Sequence, residues 1–332
     1  MGAATTASTL DGDILAIDCE VESRRIGAAL TTYLKATKRR GVVIALSGGV
    51  DSSVCAALAV RALGPARLFG LMLPERDSSG DSLRRAVLIT DQFAIPHAVE
   101  DISPALDGLG CYARRDGAIR RVFPGYGEGW KNKIAIAGGR NGAFNYFKLV
   151  VQSPDGMLHE ARLPAREYLE IVAATSFKQR VRKALEYFHA DRLNYAVIGT
   201  PNRLEYDQGF FVKNGDGSAD FKPIAHLYKT QVYALARHLG IPGEIREAAP
   251  TTDTYSLQQG QDEFYFALRY DKMDVALWAH NHGVPASVLA RKLEVDDAHA
   301  QFVYRDIVAK RLATRYLHAP PVLVESLPEL AH

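Results

Sequence analysis

Residues 42–53 have the sequence Val42-Val43-Ile44-Ala45-Leu46-Ser47-Gly48-Gly49-Val50-Asp51-Ser52-Ser53. The first five are apolar and three of them are β-branched, which is typical of a short strand covered on both faces. The glycine pair lets the backbone turn sharply, and the apolar residues beyond it predict a helix over 54–63. The segment therefore predicts a strand, a glycine-rich turn and a helix.

The same alternation of strands and helices continues on both sides of this segment. We predict further strands over 68–73 and 195–199, and a strand end at Ala98-Val99. The other predicted helices are 14–36, 80–93, 168–189, 229–239, 273–282, 285–293 and 296–316. Because strands that alternate with helices form parallel sheets, we predict an α/β protein with a Rossmann-like parallel sheet flanked by helices.

The alternation is interrupted over residues 109–163, which are rich in glycine and aromatic residues. The turn sequence Ser153-Pro154-Asp155-Gly156 separates two apolar stretches there, so we predict an inserted hairpin or lid. Basic and aromatic residues are interleaved in it, so it either closes on an anionic substrate, binds RNA, or is a solvated hairpin with its own aromatic core. We expect residues 14–332 to form one domain around it and residues 1–13 to be a disordered leader.

Composition excludes several classes of protein. The 332 residues carry a formal net charge of +2, which does not favour nucleic acid as a partner. Three scattered cysteines without a C-x-x-C pair predict neither disulfides nor a zinc site. No apolar run approaches the roughly 20 residues that cross a bilayer, and the start lacks the features of a secretory signal. We therefore expect no membrane partner and a cytoplasmic location.

The loop at residues 47–53 is the strongest candidate for a binding site. Its serine hydroxyls, the amide groups beside Gly48 and Gly49, and the positive end of the following helix all favour an anion. The Gly-Lys-Ser/Thr of a Walker loop does not occur in it. A polar turn that only caps the helix is the alternative. Because Ser-Gly-Gly-x-Asp-Ser follows a predicted strand, we expect a phosphate group here.

With this loop the sequence resembles the PP-loop, or N-type ATP pyrophosphatase, superfamily, whose members include GMP synthetases, asparagine synthetases, tRNA thiolases and NAD synthetases. The second half narrows the resemblance to the ammonia-dependent NAD synthetase family. The motifs that carry it are Gly199-Thr200-Pro201-Asn202-Arg203-Leu204-Glu205, Gly209-Phe210-Phe211-Val212-Lys213-Asn214-Gly215-Asp216-Gly217-Ser218-Ala219-Asp220 and Leu227-Tyr228-Lys229-Thr230-Gln231-Val232. The resemblance covers roughly residues 14–63 and 176–275, and it implies an adenine nucleotide alpha hydrolase-like fold.

The resemblance implies an ATP-dependent amide ligase that adenylates a carboxylate and transfers it to ammonia. The implied reaction converts deamido-NAD, ATP and ammonia to NAD, AMP and pyrophosphate, with ATP as co-substrate and Mg²⁺ as metal. A chain of this length leaves no room for an added amidohydrolase domain, so we expect free ammonia or a separate glutaminase as the nitrogen source. The family also implies a homodimer.

Individual residues acquire roles through the same resemblance. Asp51 and Glu205 are expected to hold Mg²⁺, whose preferred ligands are carboxylate and phosphate oxygens. Asp51 and Lys229 are expected to be catalytic, because charge builds up as pyrophosphate leaves. The expected ATP-binding residues are Ala45, Leu46, Ser47, Gly48, Gly49, Val50, Asp51, Ser52, Ser53, Thr200, Lys229 and Thr251. The residues expected to bind the acid are Arg180, Lys213 and Asp220.

The C-terminal sequence leaves other activities open. The family usually has a His-Lys pair there, whereas residues 316–321 are Tyr-Leu-His-Ala-Pro-Pro. A related amide ligase that acts on another acid, such as a sugar uronate or a specialised metabolite, is therefore the first alternative. A tRNA-thiolating enzyme would share the loop and would need a persulfide-carrying cysteine, for which Cys55 and Cys111 are the candidates. A nucleotide sensor that does not consume ATP is the third.

Overall fold

The computed structural model describes residues 10, 12–137, 146–248, 255–257, 268–325 and 327. Its central sheet contains β1 (Val42–Ala45), β2 (Leu68–Met72), β3 (His97–Val99) and β7 (Ala196–Ile198), in the order β3-β2-β1-β7. All neighbouring strands in this sheet are parallel. The carboxyl ends of the strands therefore meet at one edge, where open α/β sheets bind ligands, and the predicted fold class is confirmed.

Most predicted helices are present, with shifted ends. The described helices are α1 (Cys19–Ala36), α2 (Val50–Leu63), α3 (Gly80–Gln92), α4 (Ser103–Gly108), α5 (Cys111–Val122), α6 (Ala165–Leu193), α7 (Arg203–Gln208), α8 (Lys229–His238), α9 (Gly243–Arg246), α10 (Tyr270–Asn281), α11 (Ala286–Leu293) and α12 (Asp297–His318). The first begins later than residue 14, because the Asp18 carboxylate accepts a hydrogen bond from the Glu20 amide at 3.0 Å and caps the helix. The second begins at Val50, directly after the glycine pair.

Successive residues of β1 point into two different hydrophobic cores, because side chains alternate along a strand. Val42 and Ile44 pack in a core with α1, α2 and α8. Val43 packs in another core with α4, α5 and α6. All three side chains are fully buried. Helices on both faces therefore explain the unbroken apolar run that precedes the glycine-rich loop.

The insertion contains a three-stranded antiparallel sheet, which includes the predicted hairpin and one strand more. Its strands are β4 (Lys131–Ala137), β5 (Tyr146–Gln152) and β6 (Leu158–Arg162), in the order β4-β5-β6. The predicted turn at residues 153–156 connects the last two strands and is closed by a backbone hydrogen bond of 2.9 Å. The predicted hairpin is thus present as β5 and β6, and the insertion extends it by an additional strand and by helix α5.

This inserted sheet packs against α6 around a core of its own. Ile134 of β4 and Ile171 of α6 are both fully buried there. Tyr255, from a short segment much later in the chain, is buried in the same core. The Leu257 amide donates to the Asn132 carbonyl oxygen at 3.1 Å and attaches that segment to β4. The insertion therefore contacts a distant part of the chain as well as its neighbours.

Helix α5 is absent from the sequence prediction for a physical reason. Its buried residues are spaced as on one helical face and are Cys111, Tyr112, Arg115, Ala118 and Ile119. An arginine in the middle of this stripe hides the apolar periodicity by which a buried helix is recognised. Arg115 pairs with the adjacent Asp116 and with Asp77, which is distant in the chain, so only the folded structure shows that Arg115 is compatible with burial.

A further core forms among the helices α10, α11 and α12. Leu10 and Leu15 are buried in it, although Leu10 belongs to the segment predicted as a leader. Among the residues that the structure describes, no helix is both long and apolar enough to span a membrane.

Candidate active site

The glycine-rich loop leaves β1 at its carboxyl end and enters α2. Gly48 has a φ of 75°, in the left-handed region that residues with a side chain rarely adopt. A Cβ atom there would lie 2.2 Å from the Ser82 carbonyl oxygen of α3. The Arg85 guanidinium of α3 also donates to the Gly48 carbonyl oxygen, at 3.2 Å. The loop and α3 are therefore closer together than any other residue at this position would allow.

Serine hydroxyl groups hold the shape of the loop. The Ser52 and Ser53 hydroxyls donate to the Gly49 carbonyl oxygen at 3.1 and 2.8 Å, and the Ser47 and Ser52 hydroxyl oxygens are 3.2 Å apart. Gly49 precedes α2 and has no side chain to cap it, while the first amides of a helix have no partner within the helix. These amides and the positive helix end make the loop suited to an anion.

Charged side chains from distant parts of the chain meet beside this loop. Lys229, the first residue of α8, forms an ion pair with Asp51 of α2, and its side chain is only 3% exposed. Asn202 connects this pair to Glu205. Its Nδ2 donates to Asp51 Oδ1 at 3.2 Å, and its backbone amide donates to Glu205 Oε2 at 3.2 Å. The fold therefore brings together the two acids and the lysine that the resemblance singles out.

The acids stabilise the charge of Lys229. Burial disfavours the charged form of Lys229 and lowers its pKa. The attraction of the Asp51 and Glu205 carboxylates is larger than this effect of burial, so the pKa of Lys229 is raised above its usual value. Next to this lysine, Asp274 of α10 accepts a hydrogen bond from the Thr230 amide at 2.8 Å. Burial raises the pKa of Asp274 to about 6. Asp274 thus holds the end of α8 that carries Lys229.

A cavity of about 280 Å³ opens beside these charges. The predicted ATP-binding, catalytic or metal-binding residues that line it are Ala45, Leu46, Ser47, Gly48, Gly49, Val50, Asp51, Ser52, Thr200, Glu205 and Lys229. Ser53 is buried behind the loop, where its hydroxyl supports the backbone. Thr251 lies outside the described residues. The structure therefore gathers nearly all predicted nucleotide-binding residues around one space.

The three residues predicted to bind the acid lie outside the lining of this cavity. Arg180 is exposed, and its Nε donates to the Lys213 carbonyl oxygen at 3.3 Å. The Lys213 ammonium donates to two carbonyl oxygens at the end of α12, at 2.7 and 3.2 Å. Asp220 accepts hydrogen bonds from an amide of β7 at 2.7 Å and from a tyrosine hydroxyl of α6 at 3.1 Å. Arg180 and Lys213 are thus neighbours, while Asp220 is attached to the central sheet.

Helix α6 supplies cavity residues that the sequence analysis missed. Gln179, Arg182, Lys183 and Glu186 line the cavity, and their spacing of three, four and seven residues places them on one helical face. Arg180 is turned by about 100° from Gln179 and belongs to another face. Arg182 is held by a hydrogen bond of 3.1 Å from its Nε to the carbonyl oxygen just beyond β2. The helical spacing of these polar residues is the signal that could have found them.

The cysteines bear on the thiolating alternative. Cys55 and Cys111 are both fully buried. Burial raises the pKa of both thiols, and the carboxylates of Asp51 and Glu205 raise that of Cys55 further. A cysteine that carries a persulfide has to be accessible and to ionise readily. The surroundings of Cys55 and Cys111 therefore argue against this chemistry.

Comparison with known sequences points to one family. A model of the NAD synthase family matches residues 22–116 and 146–314. The chain is 56% identical to the NH(3)-dependent NAD(+) synthetase of Rhizobium meliloti over 319 residues, which cover 96% of each protein. It is 53% identical to the protein of the same name from Rhizobium rhizogenes over 320 residues, again 96% of each. It is 37% identical to the NH(3)-dependent NAD(+) synthetase of Thermotoga maritima over 236 residues, which cover 71% of this chain and 78% of that protein.

Solved structures share the fold. The NH3-dependent NAD synthetase from Campylobacter jejuni has a TM-score of 0.62 at 20% identity, covering 93% of this chain and 100% of that one. The NMN synthetase from Francisella tularensis has a TM-score of 0.59 at 21% identity, covering 93% of this chain and 99% of that one. At these identities the likeness shows the architecture alone.

Proposed function

Because the chain belongs to the NAD synthase family, we propose that it amidates deamido-NAD with ammonia in an ATP-dependent reaction. The products are NAD, AMP and pyrophosphate. The chain is thus a ligase that forms a C–N bond, with ATP as co-substrate. The observation that carries the proposal is the meeting of Asp51, Glu205 and Lys229 beside a loop shaped to bind an anion.

The reaction needs activation because a carboxylate is a poor electrophile. A carboxylate oxygen of deamido-NAD attacks the α-phosphorus of ATP, and the bond to the bridging oxygen of pyrophosphate breaks. The lone pair of ammonia then attacks the acyl carbon of the adenylate, AMP leaves with the bonding electrons, and the new amide loses a proton to solvent. The protein therefore has to align the reactants, balance phosphate charge and limit the access of water.

The glycine-rich loop and Lys229 would balance the charge on the departing pyrophosphate. The loop offers amide groups at the start of α2, and the ammonium of Lys229 lies buried beside it. When phosphate oxygens occupy the cavity, this ammonium can exchange the Asp51 carboxylate for them. A charged donor that is already in place acts strongly in a site from which water is excluded.

Asp51 and Glu205 fit a Mg²⁺ site. Mg²⁺ usually takes one or two carboxylates together with substrate phosphates and water, and Asn202 fixes both acids through separate hydrogen bonds. Among the described residues there is no group of three or more His, Cys, Asp or Glu side chains that could hold a metal. The phosphates of ATP would therefore complete the ligand set, and the bound ion would neutralise part of their charge.

We place the acid along the α6 side of the cavity. Arg182 supplies positive charge within it, whereas Lys183 is paired with Glu186 at 2.7 Å in the same lining. Arg180 and Lys213 lie together outside it. Asp220 would act there by holding the chain against β7. We expect a second copy of the chain to cover this surface in a homodimer, and ammonia to come from solution or from a separate glutaminase in the cytoplasm.

We also propose that residues 14–332 form one ATP-pyrophosphatase domain and that residues 109–163 are inserted into it. The family model leaves residues 117–145 unmatched, inside the proposed insertion. This part includes β4, the strand that pairs with β5 of the hairpin.

The proposed reaction is tested by measuring all three of its products and the origin of the amide nitrogen. Purified protein receives ATP, Mg²⁺, deamido-NAD and ¹⁵N-ammonium, and we expect AMP, pyrophosphate and amide-labelled NAD in equal amounts. Asp51→Asn should abolish turnover, while Asp101→Asn, which changes an exposed acid of the same type, should leave it intact. A higher kcat/KM with a sugar uronate or another acid than with deamido-NAD would refute the proposed substrate. Loss of turnover on replacing Cys55 and Cys111 by serine, with folding retained, would reopen the thiolating alternative.

A further inference from the structure

A group of buried charges lies between α5, α6 and the loop that follows β2. We call Glu75, Asp77, Arg115 and Lys178 the charge cluster. Lys178 is 1% exposed, Arg115 is 3% exposed and Glu75 is 5% exposed. Two acids face two bases, and the partly exposed Asp116 also accepts a hydrogen bond from Arg115 Nε at 2.8 Å, so each buried charge is paired. Charges are costly to bury unless they are paired, and the contacts among these four side chains therefore restrict their positions.

The contacts join segments that are distant in the chain. The Lys178 ammonium of α6 donates to Glu75 Oε1 at 2.9 Å and to Asp77 Oδ2 at 2.8 Å. Arg115 of α5 forms an ion pair with Asp77. The Tyr112 hydroxyl of α5 donates to Glu75 Oε2 at 2.9 Å. One loop is thus bonded to two helices, and one of these helices belongs to the insertion.

The same loop forms part of the wall of the nucleotide cavity. Pro74, Ser78 and Ser79 line the cavity. Glu75 and Asp77, which lie between them in sequence, belong to the charge cluster and contact its two bases. The loop is closed on itself, because the Ser78 amide donates to the Glu75 carbonyl oxygen at 2.9 Å and the Glu75 amide donates to the Ser78 hydroxyl at 3.1 Å. A displacement of the two acids would therefore move the serines of the wall.

We propose that the charge cluster positions this wall for ATP, and that the inserted segment contributes to nucleotide binding through it. The proposal rests on the proposed function only in taking ATP as the occupant of the cavity. Apolar residues of similar volume would stabilise the fold about as well as buried ion pairs do. Charged groups with several directed hydrogen bonds restrict the loop to one arrangement, which a binding wall requires.

Two buried tyrosines of the insertion provide a matched test. Tyr112→Phe removes the hydroxyl that bonds Glu75 of the charge cluster. Tyr126→Phe removes a hydroxyl that accepts a hydrogen bond from Asn132 Nδ2 at 2.7 Å within the inserted core. Both changes keep the ring in place and delete one oxygen. They differ in whether that oxygen is bonded to the loop of the cavity wall.

The readouts are the Kd of ATP, measured by calorimetry without acid or ammonia, the thermal midpoint, and kcat at saturating ATP. For Tyr112→Phe we expect the Kd of ATP to rise about tenfold, the scale of one hydrogen bond to a charged group, with kcat at saturation within about twofold of wild type. Tyr126→Phe should lower the thermal midpoint and leave the Kd within about twofold. Because ATP binding is measured alone, failure of the proposed acid would not affect this result.

Lys178 gives a second, stronger perturbation with its own rescue. Lys178→Met leaves Glu75 and Asp77 with less compensation, so ATP affinity should fall by more than in Tyr112→Phe. Adding Glu75→Gln removes one of the uncompensated charges and should restore part of that affinity. An unchanged Kd in Tyr112→Phe would overturn the proposal, because the charge cluster would then serve stability alone. Equal rises of the Kd in Tyr112→Phe and Tyr126→Phe would also overturn it, since they would indicate general loosening of the insertion.

Discussion

The buried ammonium of Lys229 is the group whose removal tests the active site most directly. Methionine has nearly the length of lysine and no charge, so Lys229→Met keeps the packing at the start of α8 while removing the ion pair with Asp51. The change leaves two carboxylates, Asp51 and Glu205, without their buried cation. It also removes the donor that we assign to the departing pyrophosphate.

The loss of stability and the loss of kcat in Lys229→Met can both be estimated from the surroundings of this side chain. Breaking a buried ion pair from one side costs about 3 to 5 kcal/mol of unfolding free energy. The Asp51 side chain is 18% exposed and keeps a hydrogen bond of 3.2 Å from Asn202, so we expect the lower end, about 3 kcal/mol. Loss of one charged donor from the transition state should lower kcat by about 10²- to 10³-fold. The two losses are similar in free energy, but a protein of ordinary stability remains folded after losing about 3 kcal/mol, so the variant should stay folded while its turnover falls at least about 10²-fold.

The two remaining carboxylates give the variant a distinctive response to Mg²⁺. In wild type without ATP, the ammonium of Lys229 competes with a metal ion for Asp51. Without that competitor, Lys229→Met should bind Mg²⁺ more tightly, and its thermal midpoint should rise with Mg²⁺ concentration more steeply than that of wild type. Release of pyrophosphate and AMP gives the kinetic effect, and thermal unfolding over a Mg²⁺ titration gives the binding effect.

Lys310→Met is the matched control, because it breaks a largely buried pair with Asp306 on α12, outside the cavity lining. It should lower stability, keep kcat and show the response of wild type to Mg²⁺. If Lys229→Met retained kcat within about threefold of wild type, the catalytic role assigned to this ammonium would be refuted. If its response to Mg²⁺ matched that of wild type, Asp51 and Glu205 would lose their support as metal ligands.

Three further predictions concern the glycine-rich loop, the first turn of α8 and the insertion. Gly48→Ala should lower kcat/KM for ATP at least about tenfold, because the new Cβ would lie 2.2 Å from a carbonyl oxygen. Gly64→Ala is the control, since Gly64 has a similar positive φ but open space around it, and this change should only lower the thermal midpoint. The pKa of about 6 for Asp274 means that the folded state holds this proton more tightly than the unfolded chain, so the unfolding free energy should fall by about 2 kcal/mol between pH 4 and pH 8. Asp274→Asn should remove that fall in urea unfolding, and an unchanged slope would contradict it. Tyr255→Ala should cost about 3 to 5 kcal/mol of unfolding free energy in urea, and a loss below about 1 kcal/mol would show that its segment is not anchored in the inserted core.

The central sheet was predictable because its signals are local. The apolar run before Ser47 and the glycines after it are adjacent in sequence, and both the strand and the turn follow from the properties of those residues alone. The ends of helices were harder to place. The first residue of α1 depends on whether the Asp18 carboxylate accepts hydrogen bonds from the first amides of the helix. The periodicity of apolar residues does not show whether these bonds form.

Residues whose role depends on distant partners could not be predicted in this way. Arg115 looks like a surface residue in sequence, and its burial depends on Asp77, which lies in the loop after β2, as well as on the adjacent Asp116. The resemblance drew attention to Arg180, yet the neighbouring Arg182 lines the cavity. Motifs identify residues one at a time, whereas the orientation of a helix decides which of two nearby arginines reaches a ligand.

The C-terminal sequence, which departs from the His-Lys pair of the family, is compatible with the same activity for a structural reason. The Lys213 ammonium donates to the Tyr316 and Ala319 carbonyl oxygens, and every residue type has such an oxygen. The His318 ring also packs edge-on against Tyr206 of α7, the helix that carries Glu205. The end of α12 is thus attached beside the active site by main-chain oxygens and ring packing. We infer that this end supports the proposed acid site through its position, so its side chains can differ from the family pattern without a change of substrate.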